Sequence, residues 1–511
     1  MNNLWSKANF LLISILLISS VVSPVWGTDI IFNENPSYLY HLESNTNELS
    51  NFNSNRATNY MGDSNSPNNK QDVIFDDLLI NELATYEQNE VSEIKTIILF
   101  EETTSKSERI EFIDNALDEY VILDNYDIIP AVYLKCQSSE LASKVEILES
   151  FSPLKKVYKS SNYLFPYFQD GFPSSSALNT DFYPNWWLPA IGAENLAYDG
   201  TGVRVAVIDT GIYEHPDLNL TANRNFVSDE SVLDYDDLVG HGTHVAGIIG
   251  GNGGGSGGLY KGVAPGVSLI NAKAGDATGL EEGDVISAIE WCVNTANADI
   301  ISMSFGDNYP IASDPMILAL ASVTENGVIT VASAGNSGPE YFSGGSPASG
   351  IDVISVGATD SNNDLASFSS WGPSLSYLGY LDVVAPGVNI IATEAPESII
   401  SDKNRFLGDF FDFSGDADYI PLSGTSMACP IVAGALAIMK QAYPSISPET
   451  ARIALLEGAQ DLSSPDDSEF MKSGFGLINI TASLEYLDDL NATYSNINNV
   501  VKLSPDEIPI K

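Results

Sequence analysis

The sequence predicts an α/β protein, with a doubly wound, mostly parallel sheet in its larger part and a small two-layer α+β domain before it. Three observations predict this. From about residue 180 onward, short β-branched runs alternate with helical segments. Those runs are apolar almost throughout, as parallel strands covered on both faces must be. Between residues 94 and 160 the order changes to βαββαβ, the order of a ferredoxin-like domain.

Residues 1–27 read as a secretory signal. Lys7 is the charged end, "FLLISILLISSVV" (10–22) the apolar stretch, and Val25 and Gly27 the small residues before a cleavage site. The apolar stretch is short for a span, and no later segment is long enough, so no membrane anchor is expected. Residues 28–90 are rich in Asn and Ser and read as a flexible lead-in. Residues 91–162 hold the small domain. "IKTIILF", "YVILD", "PAVYLKC" and "LKKVYK" are its strands, and 106–118 and 138–149 its helices. A softer stretch, 163–180, reads as a linker. The large domain occupies 181–487. Its strands are "VRVAVID" (203–209), "SLINAK" (268–273), "DIISMS" (299–304), "VITVAS" (328–333), "DVISVGA" (352–358) and "LDVVAP" (381–386), with helices at 283–297 and 314–326. The polar end, 488–511, is expected to be a loose tail.

The chain of 511 residues is 44% hydrophobic, which supports a large core. Lys and Arg number 22 against 68 Asp and Glu, a net charge of −46. That balance argues against nucleic acid or an anionic membrane as partner, since both call for basic patches. It suits solubility, bound cations or a salty habitat. The three cysteines, Cys136, Cys292 and Cys429, give no disulfide framework.

Chemistry concentrates in four blocks. In "LSGTSMACPIVAG" (422–434), Ser426 stands at the mouth of an apolar helix. A helix N-cap would explain it. So would a nucleophile placed where the helix dipole favours developing negative charge. A nucleophile needs a base, and the chain has four histidines: His41, His215, His241 and His244. His241 and His244 share "GHGTHVAGIIGG" (240–251), a spacing that could bind metal, but the Glu of an HExxH pattern is missing. Asp209 closes the apolar strand in "VAVIDTGI" (205–212). A carboxylate there is costly unless hydrogen-bonded, and it could orient a histidine. Asn336, in "SAGNSGP" (333–339), also follows a strand, where its side-chain N–H could meet an oxyanion.

With these blocks in the order Asp, His, Ser, the chain resembles the subtilisin-like serine proteases. The resemblance covers roughly residues 180–487, and 94–160 is similar to the family's inhibitory propeptide. It implies a secreted, self-processed serine endopeptidase with Asp209, His241 and Ser426 as triad and Asn336 in the oxyanion hole. It also implies protein or peptide substrates, the enzyme's own propeptide as intramolecular inhibitor, and a monomer. A substrate would add as a strand beside "ATGLEE" (277–282), with Gly279 and Leu280, and beside "SFGD" (304–307), with Ser304. The primary pocket would be lined by Phe305, Gly306, Ser333, Ala334 and Gly335, with Gly345 at its floor. No charge is evident there, so large apolar side chains should be preferred before the scissile bond. No cofactor is implied for catalysis. Structural calcium is implied at Asp217, in "EHPDL", and at Asp382. The loop 250–262 lacks the usual ligand pattern, and Asp229, Asp234, Asp236 and Asp237 offer further oxygen ligands or a solvated acidic face. The family's His after the Pro of "GTSMA-x-P" is Ile431 here, where altered helix packing is expected. Cys429 is expected to pack.

Overall fold

A computed structural model describes residues 92–163, 185–307, 315–373, 381–401, 418–462 and 470–501 and, before these, 75–76, 79–80 and 82–83. The signal (1–27), His41 and the linker beyond 163 lie outside the described residues.

The first sheet contains β1 (Glu93–Phe100), β2 (Tyr120–Asn125), β3 (Ala131–Gln137) and β4 (Leu154–Lys159) in the order β2-β3-β1-β4. Its pairings are antiparallel. Helix α1 (Lys106–Ala116) starts at a capping box between Ser105 and Glu108. The single helix expected at 138–149 is two, α2 (Ser138–Ser143) and α3 (Val145–Glu149). Strand β1 explains why "IKTIILF" does not alternate. Ile94, Ile98 and Phe100 face the sheet's own helices, while Ile97 and Leu99 face a second core that includes helices of the large domain. Both faces are covered, so both are apolar. After β4, the two-residue strand β5 (Asn162–Tyr163) leaves this sheet for another.

The large sheet is parallel throughout, with seven strands. These are β6 (Arg204–Asp209), β7 (Leu220–Asn225), β8 (Ser268–Lys273), β11 (Ile300–Met303), β12 (Ile329–Ser333), β13 (Ile354–Thr359) and β14 (Val383–Pro386), in the order β14-β13-β12-β11-β6-β8-β7. Between β8 and β11 lie the short β9 (Gly275–Asp276) and β10 (Gly279–Glu281). Strand β7 has no apolar run and was not expected. Side chains alternate across the sheet: Val205 and Val207 enter one core, Ala206 and Ile208 the other. One face carries α4 (His241–Gly250) and the central α7 (Thr425–Ala442); the other carries α5 (Glu282–Asn294) and α6 (Pro315–Glu325). From β6 the chain goes out to the edge strand β7, returns to β8 beside β6, and later starts again on β6's other side at β11. That reversal leaves a crevice at the carboxyl ends of β6 and β11.

A hairpin of β15 (Ile390–Thr393) and β16 (Tyr419–Leu422) leads into α7. Among the described residues three helices follow: α8 (Pro448–Gly458), the short Phe470–Ser473 and α9 (Ile480–Val501). The tail expected at 488–511 is therefore helical as far as Val501. Its Asn-rich composition hid the helix, which packs Leu487 into the core. No helix among the described residues is long and apolar enough to cross a membrane.

Candidate active site

Asp209 ends β6 and is buried. One of its oxygens, Oδ1, lies 2.8 Å from His241 Nδ1 and accepts from the Thr210 N–H at 2.8 Å. His241 is the first residue of α4. The helix can stand this close because residue 242 is glycine: a Cβ there would lie 2.1 Å from the Gly211 carbonyl oxygen and 3.0 Å from Asp209 Cβ. With Nδ1–H given to the carboxylate, His241 Nε2 is left as the basic nitrogen.

Asp237 holds this arrangement from behind. Its Oδ1 accepts from the Gly240 N–H at 2.7 Å, and its Oδ2 from the Thr243 N–H at 2.8 Å and the Thr243 hydroxyl at 2.6 Å. The Thr210 hydroxyl, 2.8 Å from Asp237, accepts from the Gly242 N–H at 3.0 Å. Asp237 thus satisfies the Gly240 N–H at the N-cap and the Thr243 N–H in the first turn of α4, and ties both to the residue after Asp209. Burial pushes its carboxyl above the usual range, against the pull of these donors. The sequence reading placed Asp237 among candidate cation ligands and missed this role. An acid four residues before His241 was its only signal.

Ser426 is the second residue of α7 and is buried. Its hydroxyl donates to the Ser304 carbonyl at 3.1 Å, and the Ser304 hydroxyl donates to the Ser426 carbonyl at 3.0 Å. The second bond follows from the sequence. Residue 430, four beyond Ser426, is proline and has no N–H to give that carbonyl. Ser304 supplies the missing donor.

Asn336 follows β12. Its Oδ1 accepts from the Thr425 N–H and the Thr425 hydroxyl, both at 2.9 Å. These donors identify the oxygen end of the amide, so Nδ2 is the end turned toward Gly424. A Cβ at Gly424 would lie 3.1 Å from that nitrogen.

His244 stands apart from this group. It is buried, with Nε2 at 3.1 Å from the Ile390 carbonyl and 2.9 Å from that of Ile420. Burial lowers its pKa to about 3. Among the described residues, no three or more His, Cys, Asp and Glu side chains are grouped to hold a metal ion. Cys429 is fully buried, its thiol pushed up to about 11, and packs near Ser302 and Met303. Ile431 is buried in the core beneath α7.

The segments expected to meet a substrate are partly occupied. Strand β10 pairs antiparallel with β5, Leu280 opposite Tyr163 and Glu281 opposite Asn162. Gly279 opposes Asp276 of β9 instead. Tyr163 is fully buried, its ring 5.6 Å from that of Phe305. Phe305 therefore sits in the core shared with the small domain. Ala334 and Gly345 line a cavity with Gly344, Trp371 and Leu381, and none of its lining residues is charged. Gly306, Ser333 and Gly335 are not among those lining residues.

Both carboxylates expected to bind calcium have protein partners. Asp217 accepts from the Gly255 N–H and the Tyr419 hydroxyl. Asp382 faces the guanidinium of Arg452 at 2.7 Å. These partners are hydrogen donors rather than the oxygen ligands a bound cation would add. Of the acidic stretch, Asp229 pairs with Lys135 of the small domain at 2.6 Å.

Comparison with known proteins agrees with the sheet and its connections. A model of the subtilase family matches residues 200–476. Serine protease AprX of Bacillus subtilis is 36% identical over 307 residues, which cover 56% of this chain and 66% of that protein. Subtilisin Savinase of Lederbergia lenta is 38% identical over 295 residues, covering 58% of this chain and 95% of the relative. The crystal structure of fervidolysin from Fervidobacterium pennivorans, a keratinolytic enzyme related to subtilisin, superposes with a TM-score of 0.61. That match has 24% identity and covers 81% of this chain and 63% of the other.

Proposed function

Because the chain belongs to the subtilase family of serine endopeptidases, we propose that it hydrolyses peptide bonds through Asp209, His241 and Ser426, and that it is made as an exported, self-processed precursor. The observation that carries this reading is the 2.8 Å pairing of His241 Nδ1 with Asp209 at the carboxyl end of β6.

In the proposed reaction, His241 Nε2 takes the proton of the Ser426 hydroxyl, and Oγ attacks the scissile carbonyl. Asp209 holds the imidazole in the needed tautomer and stabilises the imidazolium. Asn336 Nδ2 and the Ser426 N–H receive the oxyanion, near the start of α7. His241 then returns the proton to the leaving amine, and water releases the acyl group by the same route. A hydroxyl has one proton to donate, so Ser426 must first leave the Ser304 carbonyl. Subtilases need no catalytic cofactor. The uncharged cavity beside Ala334 and Gly345 supports a preference for apolar side chains before the scissile bond.

The small domain is proposed as a propeptide. Its support is the covered face of β1 together with backbone contacts to α5. Glu290 of α5 accepts from the Asp127 and Ile128 N–H groups at 2.5 and 3.0 Å, and the Tyr126 hydroxyl donates to the Gly283 carbonyl at 2.8 Å. The β5–β10 pairing supports a tail that occupies a substrate edge, as an inhibitor would. Ser426→Ala and His241→Ala should each abolish peptidase activity while the protein stays folded. Mass spectrometry of wild type and Ser426→Ala should show cleavage within 163–180 in the wild type only. Activity surviving in Ser426→Ala, or identical trimming of that variant in a protease-free host, refutes the reading.

A further inference from the structure

Asp217 is 2% exposed and joins three segments of the large domain. Its Oδ1 accepts from the Gly255 N–H at 2.8 Å, in the glycine-rich loop 250–262. Its Oδ2 accepts from the hydroxyl of Tyr419, the first residue of β16. Its own carbonyl accepts from the Asn252 N–H at 3.0 Å, and its N–H donates to His215 Nδ1 at 3.1 Å. The Tyr419 ring packs edge-on against His215, at 5.6 Å, and beside Tyr260, at 5.0 Å. The Asn252 side-chain oxygen accepts from the Gly254 N–H at 2.7 Å.

A calcium ion needs six to eight oxygen atoms at about 2.3–2.6 Å. The groups that converge on Asp217 present hydrogens instead. The second carboxylate follows the same rule. Asp382 Oδ1 takes Arg452 Nε at 3.1 Å and Nη2 at 2.7 Å, and its Oδ2 takes the Ser355 N–H at 2.9 Å. Arg452 also reaches the Ile351 carbonyl. Each carboxylate is thus held between distant segments by covalently attached donors: a phenol and an amide at one, a guanidinium and an amide at the other.

We propose that Tyr419 with Gly255, and Arg452 with Ser355, take the place of bound cations at Asp217 and Asp382, so that the fold is fastened at both points by its own side chains. Fastening of this kind is unaffected by chelators. It also lets the glycine-rich loop dispense with carboxylates, as its sequence "GGNGGGSGG" does.

The test uses the full chain with Ser426→Ala, to exclude self-digestion, as the parent. Thermal midpoints are measured in calcium chloride and in EGTA for the parent and for Asp217→Asn, Asp382→Asn, Tyr419→Phe and Arg452→Met in that background. The chain's many acids can respond to calcium in any background, so the readout is the difference between variants. The calcium-dependent shift should be the same in the parent, Asp217→Asn and Asp382→Asn. Tyr419→Phe and Arg452→Met should each lower the EGTA midpoint by several degrees. A calcium shift that shrinks in Asp217→Asn or Asp382→Asn overturns the proposal. So does a Tyr419→Phe midpoint equal to that of the parent.

Discussion

Ser304 and Ser426 exchange hydrogen bonds: each hydroxyl donates to the other's carbonyl, at 3.0 and 3.1 Å. The exchange locks the start of α7 to the end of β11, and Pro430 makes it necessary. Ser304→Ala leaves the buried Ser426 carbonyl without a donor, at about 1–3 kcal/mol of stability. It should also lower kcat, because the residue carrying the nucleophile loses its anchor. Pro430→Ala restores an N–H to that carbonyl, so the double variant should recover part of the lost stability. A double-mutant cycle of denaturant midpoints checks this. Strictly additive losses would mean that the two positions do not share the carbonyl.

Thr425 fixes the Asn336 amide through two bonds to one oxygen. Thr425→Val removes the hydroxyl and leaves the backbone bond. The loss of one such bond, about 1 kcal/mol, should appear as a several-fold fall in kcat with KM little changed. Steady-state kinetics on a peptide substrate decide it; a rise in KM alone would contradict an oxyanion role.

Asp237→Ala should be the most damaging change near the site that leaves the triad intact. It strands the N–H groups of Gly240 and Thr243 in a buried place and removes the link through Thr210. A loss of about 3 kcal/mol or more is expected, with kcat reduced in the folded fraction. Calorimetry together with active-site titration would separate the two effects.

The contact between the small domain and α5 should depend on pH. Burial raises the carboxyls of Glu281 and Glu290 above their ordinary value of 4.5, and both accept from small-domain groups. A carboxyl raised on docking takes up a proton on docking. Docking is therefore strongest below pH 4.5 and weakens as the pH rises through the raised values. Activity of the cleaved but undissociated protein should appear faster as the pH increases from acid toward neutral, and Glu290→Gln should flatten that dependence. The opposite slope would refute the assignment.

The chemistry of the site was legible because its residues sit in short local patterns. Asp209 closes a readable strand, and His241 and Ser426 each open an apolar helix behind glycine. What stayed illegible depends on long-range partners. Nothing near Asp217 in the chain announces Tyr419, and nothing near Asp382 announces Arg452, so the partners of both carboxylates stayed hidden. Phe305 was placed beside the substrate by the resemblance, and nothing near it in the chain announced its contact with Tyr163. Strand β7 escaped because an edge strand with one polar face lacks the apolar run that marked its neighbours. The second cover of β1, by contrast, was present in the unbroken "IIL" and went unread.

On the proposed reading of the small domain as a propeptide, that double cover makes activation a one-way step. Ile97, Leu99, Tyr126, Tyr133 and Tyr158 all belong to the core that includes α5 and α6. Were the small domain to separate, this row of aliphatic and aromatic side chains would face water on a sheet with helices on its other side only. A fragment in that condition spends more of its time locally open, and open chain is what a peptidase cuts. On that reading, the surface by which the small domain would hold the enzyme would also mark it for destruction after release.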